Sequence, residues 1–179
     1  PNLIGRYALS LMVTDDEQRT SCAPATYMID VVTDADIRVE LLWRTPGDND
    51  EMDTGMVANF SAGSDLDLHF KRGLGPAWFD PLYDAFWENP FPSWASAADH
   101  DNPQLLRDDT DGGGPENLNL NSPEDGVTYA VGVHYWDDWG YGSAFAPVRV
   151  HIDGELRWSR EVELAKGDLW EACTIVWPD

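Results

Sequence analysis

The chain has 179 residues, 42% of them hydrophobic, which is enough for one domain with a real core and argues against wholesale disorder. Eleven Lys and Arg stand against 33 Asp and Glu, for a net charge of −22. Such a chain repels phosphate backbones and anionic head groups, which sets aside nucleic acid and membrane surfaces as partners, and it attracts cations.

The first residues, Pro1-Asn2-Leu3-Ile4-Gly5, lack the pattern of a signal peptide and read as the interior of a longer protein. Period-2 alternation then dominates. Tyr7, Leu9, Leu11 and Val13 share one face of a strand, Thr14–Gln18 makes a polar turn, and Tyr27, Ile29 and Val31 share a face of a second strand. A lone hairpin is not a domain, so a boundary is expected near Thr33–Asp36. That divides the chain into a hairpin unit, 1–35, and a larger domain, 36–179. In the larger domain Ile37, Val39, Leu41 and Trp43 alternate with Arg38, Glu40 and Leu42. Leu66, Leu68 and Phe70 alternate with Asp65, Asp67 and His69, and Tyr129, Val131, Val133 and Tyr135 with Ala130, Gly132, His134 and Trp136. Val148, Val150 and Ile152 lead into an Asp153-Gly154 turn, a hairpin signal. Strands around Leu156–Glu163 and Glu171–Trp177 close the chain. Eight or so short strands predict an all-β fold, an antiparallel β-sandwich with long Asp/Gly/Trp-rich loops and little helix. The loops are Thr45–Ser64 and Gly73–Gly114, with a helical turn or two expected in Asp80–Glu88. No run of 18 apolar residues is present, so membrane insertion is not expected. Cys22 and Cys173 form either a long-range disulfide, worth roughly 4–5 kcal/mol by the chain-entropy argument, or two buried free thiols.

Four segments carry candidate chemistry. Gly47–Gly55 packs Asp48, Asp50, Glu51 and Asp53 between glycines, and such carboxylates repel one another unless solvated or neutralised by a cation. Calcium takes six to eight oxygens at about 2.3–2.6 Å. In Ser64–Phe70, alternation places Asp65, Asp67 and His69 on the face opposite the apolar set. In Arg107–Asn117, Asp109-x-Asp111-Gly112 is half of a calcium loop. Its glycines allow positive φ, and Glu116 returns a further carboxylate. Arg107 and the lack of flanking helices set this loop apart from an EF-hand. The competing reading of the three segments is a solvated acidic loop, an exposed strand face and an Asp-capped glycine turn. In the fourth segment, His134–Gly142, the aromatics Tyr135, Trp136, Trp139 and Tyr141 are interleaved with Asp and Gly, in a chain with 9 Trp. They either stack on a sugar ring or cover the end of the core. His69 and His134 with Asp67 offer donors for zinc, though histidines on strands are more often simply hydrogen-bonded. There is no G-x-S-x-G elbow, H-E-x-x-H or P-loop, and with 33 acids chance carboxylate pairs are expected, so no enzyme is read here.

Asp65-Leu66-Asp67-Leu68-His69, Asp108-Asp109-Thr110-Asp111-Gly112-Gly113-Gly114-Pro115-Glu116 and Tyr129-Ala130-Val131-Gly132-Val133-His134-Tyr135 occur in that order. The set resembles a family of bacterial secreted β-sandwich domains related to the YfaP-like domains of unknown function. Gly5–Asp16 resembles the closing strands of a polycystic-kidney-disease (PKD) repeat. The resemblance implies an extracellular or cell-surface, non-catalytic role. The calcium reading comes from the Asp clusters, not from the resemblance.

Together these features predict a structural or adhesive surface module stabilised by calcium. Asp65, Asp67, Asp109, Asp111 and Glu116 are expected at one site, and Asp48, Asp50 and Asp53 at the same site or a second. The N-terminal hairpin is expected to pair with another copy by strand addition and so build a filament, with other copies or surface proteins as partners. The alternative is a carbohydrate-binding module, with Tyr135, Trp136, Trp139 and Tyr141 and the Trp78, Trp87 and Trp94 loop as stacking platforms for a glycan.

Overall fold

A computed structural model describes residues 2–52, 56–57, 60–61, 63–94 and 101–178. The chain divides into two compact units between Thr33 and Asp34. The first is one hairpin. Strand β1 (Gly5–Leu11) pairs antiparallel with β2 (Ala25–Val31), Tyr7 opposite Ile29 and Leu9 opposite Tyr27. Asp15 closes its turn by accepting the backbone N–H groups of Glu17 and Arg19. Leu9, Leu11 and Tyr27 remain exposed.

The second unit holds β3 (Ile37–Leu41), the short pair β4 (Met56–Val57) and β5 (Phe60–Ser61), β6 (Asp65–Arg72), β7 (Asp84–Ala85), β8 (Gln104–Arg107), β9 (Glu116–Leu120), β10 (Thr128–Asp137), β11 (Ala144–Ile152), β12 (Glu155–Leu164) and β13 (Leu169–Val176). They form a four-stranded sheet, β13-β10-β6-β7, and a five-stranded sheet, β12-β11-β3-β9-β8, antiparallel throughout. This is the expected β-sandwich. Side chains alternate along a strand, so each sheet turns one apolar row inward. Ile37, Val39 and Leu41 meet Leu66, Leu68 and Phe70, with Leu118, Leu120, Val131, Val133, Val148 and Val150 filling the same core. Burying each such side chain contributes roughly 1.5–3 kcal/mol. Phe70, Tyr129 and Trp94 stack within it, with centroids 5.3–6.0 Å apart. The turn between β11 and β12 has positive φ at both Asp153 (51°) and Gly154 (77°), the two-residue hairpin geometry expected of that pair.

Three features differ from expectation. Asp80–Glu88 is not helical: Asp80 closes a turn over Pro81 by accepting from Leu82 and Tyr83, and the chain returns as β7 beside Phe70 and Lys71. Within Gly73–Gly114, β8 adds an edge strand to the five-stranded sheet. A further strand, β9, follows that loop. Of the two alternatives open to the cysteines, the structure has the free thiols. Cys22 is exposed, and burial pushes the Cys173 thiol up to about 11. Among the described residues no helix is long and apolar enough to cross a membrane.

The glycine run after β8 packs against Trp43. The Trp43 N–H donates to the Gly113 carbonyl at 3.1 Å. Gly114 has φ +83°, and a Cβ there would lie 2.9 Å from the Trp43 ring. Gly114→Ala is expected to lower stability by about 1–3 kcal/mol, read as a Tm several degrees lower. Gly140 shares the positive φ but has open space around it, so Gly140→Ala is the control and should lose less. Equal losses in the two variants would show that contact with Trp43 does not matter.

Candidate metal centre

The site grows from the edge of β6. Asp65, Asp67 and His69 point away from the core, as alternation demands. Beyond Lys71 and Phe70 the partner strand β7 stops and turns back at Phe86–Asn89. The lateral N–H of Leu68 is instead met by Glu116, which reaches across from β9 in the other sheet at 2.7 Å. The second oxygen of Glu116 accepts from Asp109 N–H at 3.2 Å. Glu116 therefore ties together β6, β9 and the loop after β8, while being only 1% exposed.

Two β-bulges complete the site. In the β8–β9 ladder Leu106 is the unopposed residue, which re-aims the chain that follows and brings Asp108 to the cavity. In the β10–β6 ladder Trp136 is unopposed, between Tyr135 opposite Leu66 and Asp137 opposite Asp65. Trp87 occupies the tight turn between Phe86 and Asn89. The result is a cavity of about 210 Å³ walled by Asp65, Asp67, Trp87, Asp108, Thr110 and Trp136.

One oxygen from each of Asp67, Asp108 and Glu116 lies within 4.8 Å of the others. An ion 2.3–2.6 Å from each oxygen spans separations of that size. The donors are oxygen only, the set preferred by calcium, magnesium and manganese. Among the described residues no Lys or Arg forms an ion pair with Asp65, Asp67, Asp108 or Glu116. The neighbouring Arg107 is turned to Asp109, at 2.8 Å. Uncompensated burial has the expected electrostatic result. Burial, then the charges of Asp67 and Asp108, push Asp65 up to about 8. Burial raises Glu116 well above the usual carboxylate range, against the pull of its two backbone hydrogen bonds. Asp108 rises through partial burial and Asp67. One oxygen of Asp65 is fully buried and has no hydrogen-bond partner. These residues fit a divalent cation.

The expected ligands divide into three groups. Asp65, Asp67 and Glu116 meet at this site, joined by Asp108, which the sequence reading quoted in its motif but did not select. Asp109 and Asp111 face a second cavity beside Trp43, Arg107 and Gly112–Gly114. Asp48 and Asp50 each give one oxygen to their own turn, accepting from Asp50 N–H and Met52 N–H, while the second oxygen of Asp48 is buried without a hydrogen-bond partner. Asp53 lies outside the described residues. The aromatic set divides as well. Tyr135 is a core residue with no exposed surface, its hydroxyl donating to the Gly142 carbonyl at 2.6 Å, so it is no stacking platform. Trp139 and Tyr141 lie in the turn after β10, and Trp136 walls the cavity. His69 does not join Asp67: its Nδ1 is 2.7 Å from Asp84 and its ring is enclosed by Trp78, Phe79 and Phe86. His134 lies nearer, 3.4 Å from Asp67.

Because the folded pKa of Asp65 is raised from 3.8 to about 8, the folded state holds a proton that the unfolded chain releases. Its stability contribution is therefore present at low pH and lost as pH rises from about 4 to 8. In chelator, the protein should become less stable across that window. Asp65→Asn should flatten the slope and add about 1–3 kcal/mol at pH 8 by removing an unpartnered buried charge. Denaturant titrations of both proteins at pH 5 and pH 8 measure this; parallel pH profiles would count against it.

No family model matches the chain, and neither the curated proteins nor the solved structures contain a match to it.

Proposed function

We propose that this chain is a non-catalytic structural or adhesive module of the cell surface or extracellular space, with calcium held by Asp67, Asp108 and Glu116 stabilising its β-sandwich. The observation that carries this reading is the convergence of three carboxylates from β6, the loop after β8 and β9 within 4.8 Å. An ion there neutralises a buried repulsion and cross-links both sheets through the residues that Glu116 already joins. Calcium is favoured over magnesium because its flexible coordination suits ligands drawn from two strands and a loop better than a strict octahedron does. Extracellular modules work with calcium affinities of about 10⁻⁴–10⁻³ M, which a partly open site can supply.

The hairpin supports an assembly role by a separate observation. Among the described residues its two strands pair only with each other, and Leu9, Leu11 and Tyr27 stay exposed. Strand addition by a second copy would extend this ribbon and cover that surface. Sedimentation at increasing protein concentration in calcium should show growing oligomers, and Leu9→Ser/Tyr27→Ser should abolish them. A monomer at every concentration would end the assembly reading.

Thermal melting tests the ion. At calcium one hundred times Kd, linkage adds about 2.7 kcal/mol, or roughly 5–11 °C for a chain of this size. The shift should be larger than that in magnesium, vanish in EDTA and be lost in Asp108→Asn, a change at an exposed residue that should still give a cooperative melt in EDTA. Equal melting in calcium and EDTA would refute the metal centre.

A further inference from the structure

The cavity beside the three carboxylates has more than a metal ion needs. Trp87 and Trp136 wall it at ring centroids 5.6 Å apart and 64° between planes, and both are more than a third exposed. Exposed indoles in a pocket offer flat apolar faces whose burial needs a ligand. Asp65 is the second independent feature. It is 8% exposed, lines the cavity, and keeps a fully buried oxygen without a hydrogen-bond partner. An unpartnered buried acceptor calls for a donor from whatever fills the space.

Three carboxylates, each giving one oxygen, leave several positions open on an ion that takes six to eight. Asp67 and Asp108 line the same cavity as the two indoles. The cavity, about 210 Å³, is smaller than the roughly 300–1,000 Å³ of pockets for drug-sized ligands, so it suits one small ring. The ligand must therefore present oxygen to a cation, a hydroxyl donor to Asp65, and an apolar face to tryptophan. A pyranose with two adjacent free hydroxyls does all three: the hydroxyl pair ligates the ion, another hydroxyl donates to Asp65, and the C–H face of the ring stacks on Trp136 or Trp87.

We propose that this cavity binds a terminal sugar through the cation at Asp67, Asp108 and Glu116, with Asp65 accepting a ligand hydroxyl and Trp87 and Trp136 forming the stacking walls. The inference rests on the metal reading above and adds the ligand class. An organic cation, which carboxylates and indoles also favour, would need the ion to be absent. The requirement for calcium therefore separates the two ligands.

The test uses the whole chain on a glycan array and in titrations with methyl glycosides carrying free vicinal hydroxyls, each with calcium and with EDTA. The expected result is retention of a subset of glycans in calcium and none in EDTA. Trp136→Ala and Trp87→Ala should each weaken binding about tenfold while keeping the calcium-induced rise in Tm. Asp65→Asn should weaken the sugar without abolishing the calcium shift. A full calcium shift with no glycan retained overturns the sugar site and leaves the metal centre standing. No calcium shift overturns both. Sugar binding that survives EDTA, or choline binding in EDTA that is lost in the tryptophan variants, overturns the ion-mediated mode.

Discussion

The amide N–H of Leu68 has no strand beside it, because β7 pairs with β6 only at Phe70 and Lys71 and then turns back. Glu116 fills that place from the opposite sheet, and its other oxygen takes the N–H of Asp109. A buried donor left unmet would cost as much as a lost hydrogen bond, so one carboxylate adds a polar tie between the two sheets and the acidic loop to the apolar core they share. The arrangement creates its own difficulty. A carboxylate with 1% exposure is stabilised by two backbone bonds but destabilised by Asp67 and Asp108 beside it. Protonation or a cation would relieve that conflict, and a divalent ion would do so with all three groups charged.

Net charge alone says little about where such a conflict arises. Most of the described acids keep at least part of their surface in water, where like charges are screened. Asp48 and Asp50 are held by their own turn, and Asp109 by Arg107. Asp65 and Asp67 are the same residue type in a different dielectric, on the covered face of β6. The candidate centre is thus the part of an acidic chain in which water has been removed and no basic side chain replaces it.

The aromatic residues divide by the same logic of facing. Phe70, Tyr129 and Trp94 stack inside the sandwich, whereas Trp87 and Trp136 stand over the cavity. Alternation along β10 places Trp136 on the face of His134, the face that carries Asp67 on β6, and the bulge between Tyr135 and Asp137 leaves it with no residue opposite. The adhesive role, the ion and the sugar are proposals that all rest on this junction between a strand edge and two bulges.

Alternation made β3, β6, β10 and β11 legible in the sequence, because an inner sheet face needs an apolar side chain at every second residue. The same rule placed Asp65 and Asp67 together and left the boundary after the hairpin visible. Other elements carried too little signal. β7 has two residues, the Leu105-Leu106 bulge breaks the alternation of β8, and β9 opens on an acid and holds only Leu118 and Leu120 as apolar positions. Its Asn117–Leu120 alternation was the one sign available. The choice between Asp108 and its neighbour Asp109 was beyond any local pattern, since the bulge at Leu106 decides which of two adjacent carboxylates turns to the cavity. Composition and periodicity determined an acidic, all-β sandwich with carboxylates poised on one strand. Only the tertiary structure decided which carboxylates share a cavity, because that depends on where a neighbouring strand ends and where a ladder slips by one residue.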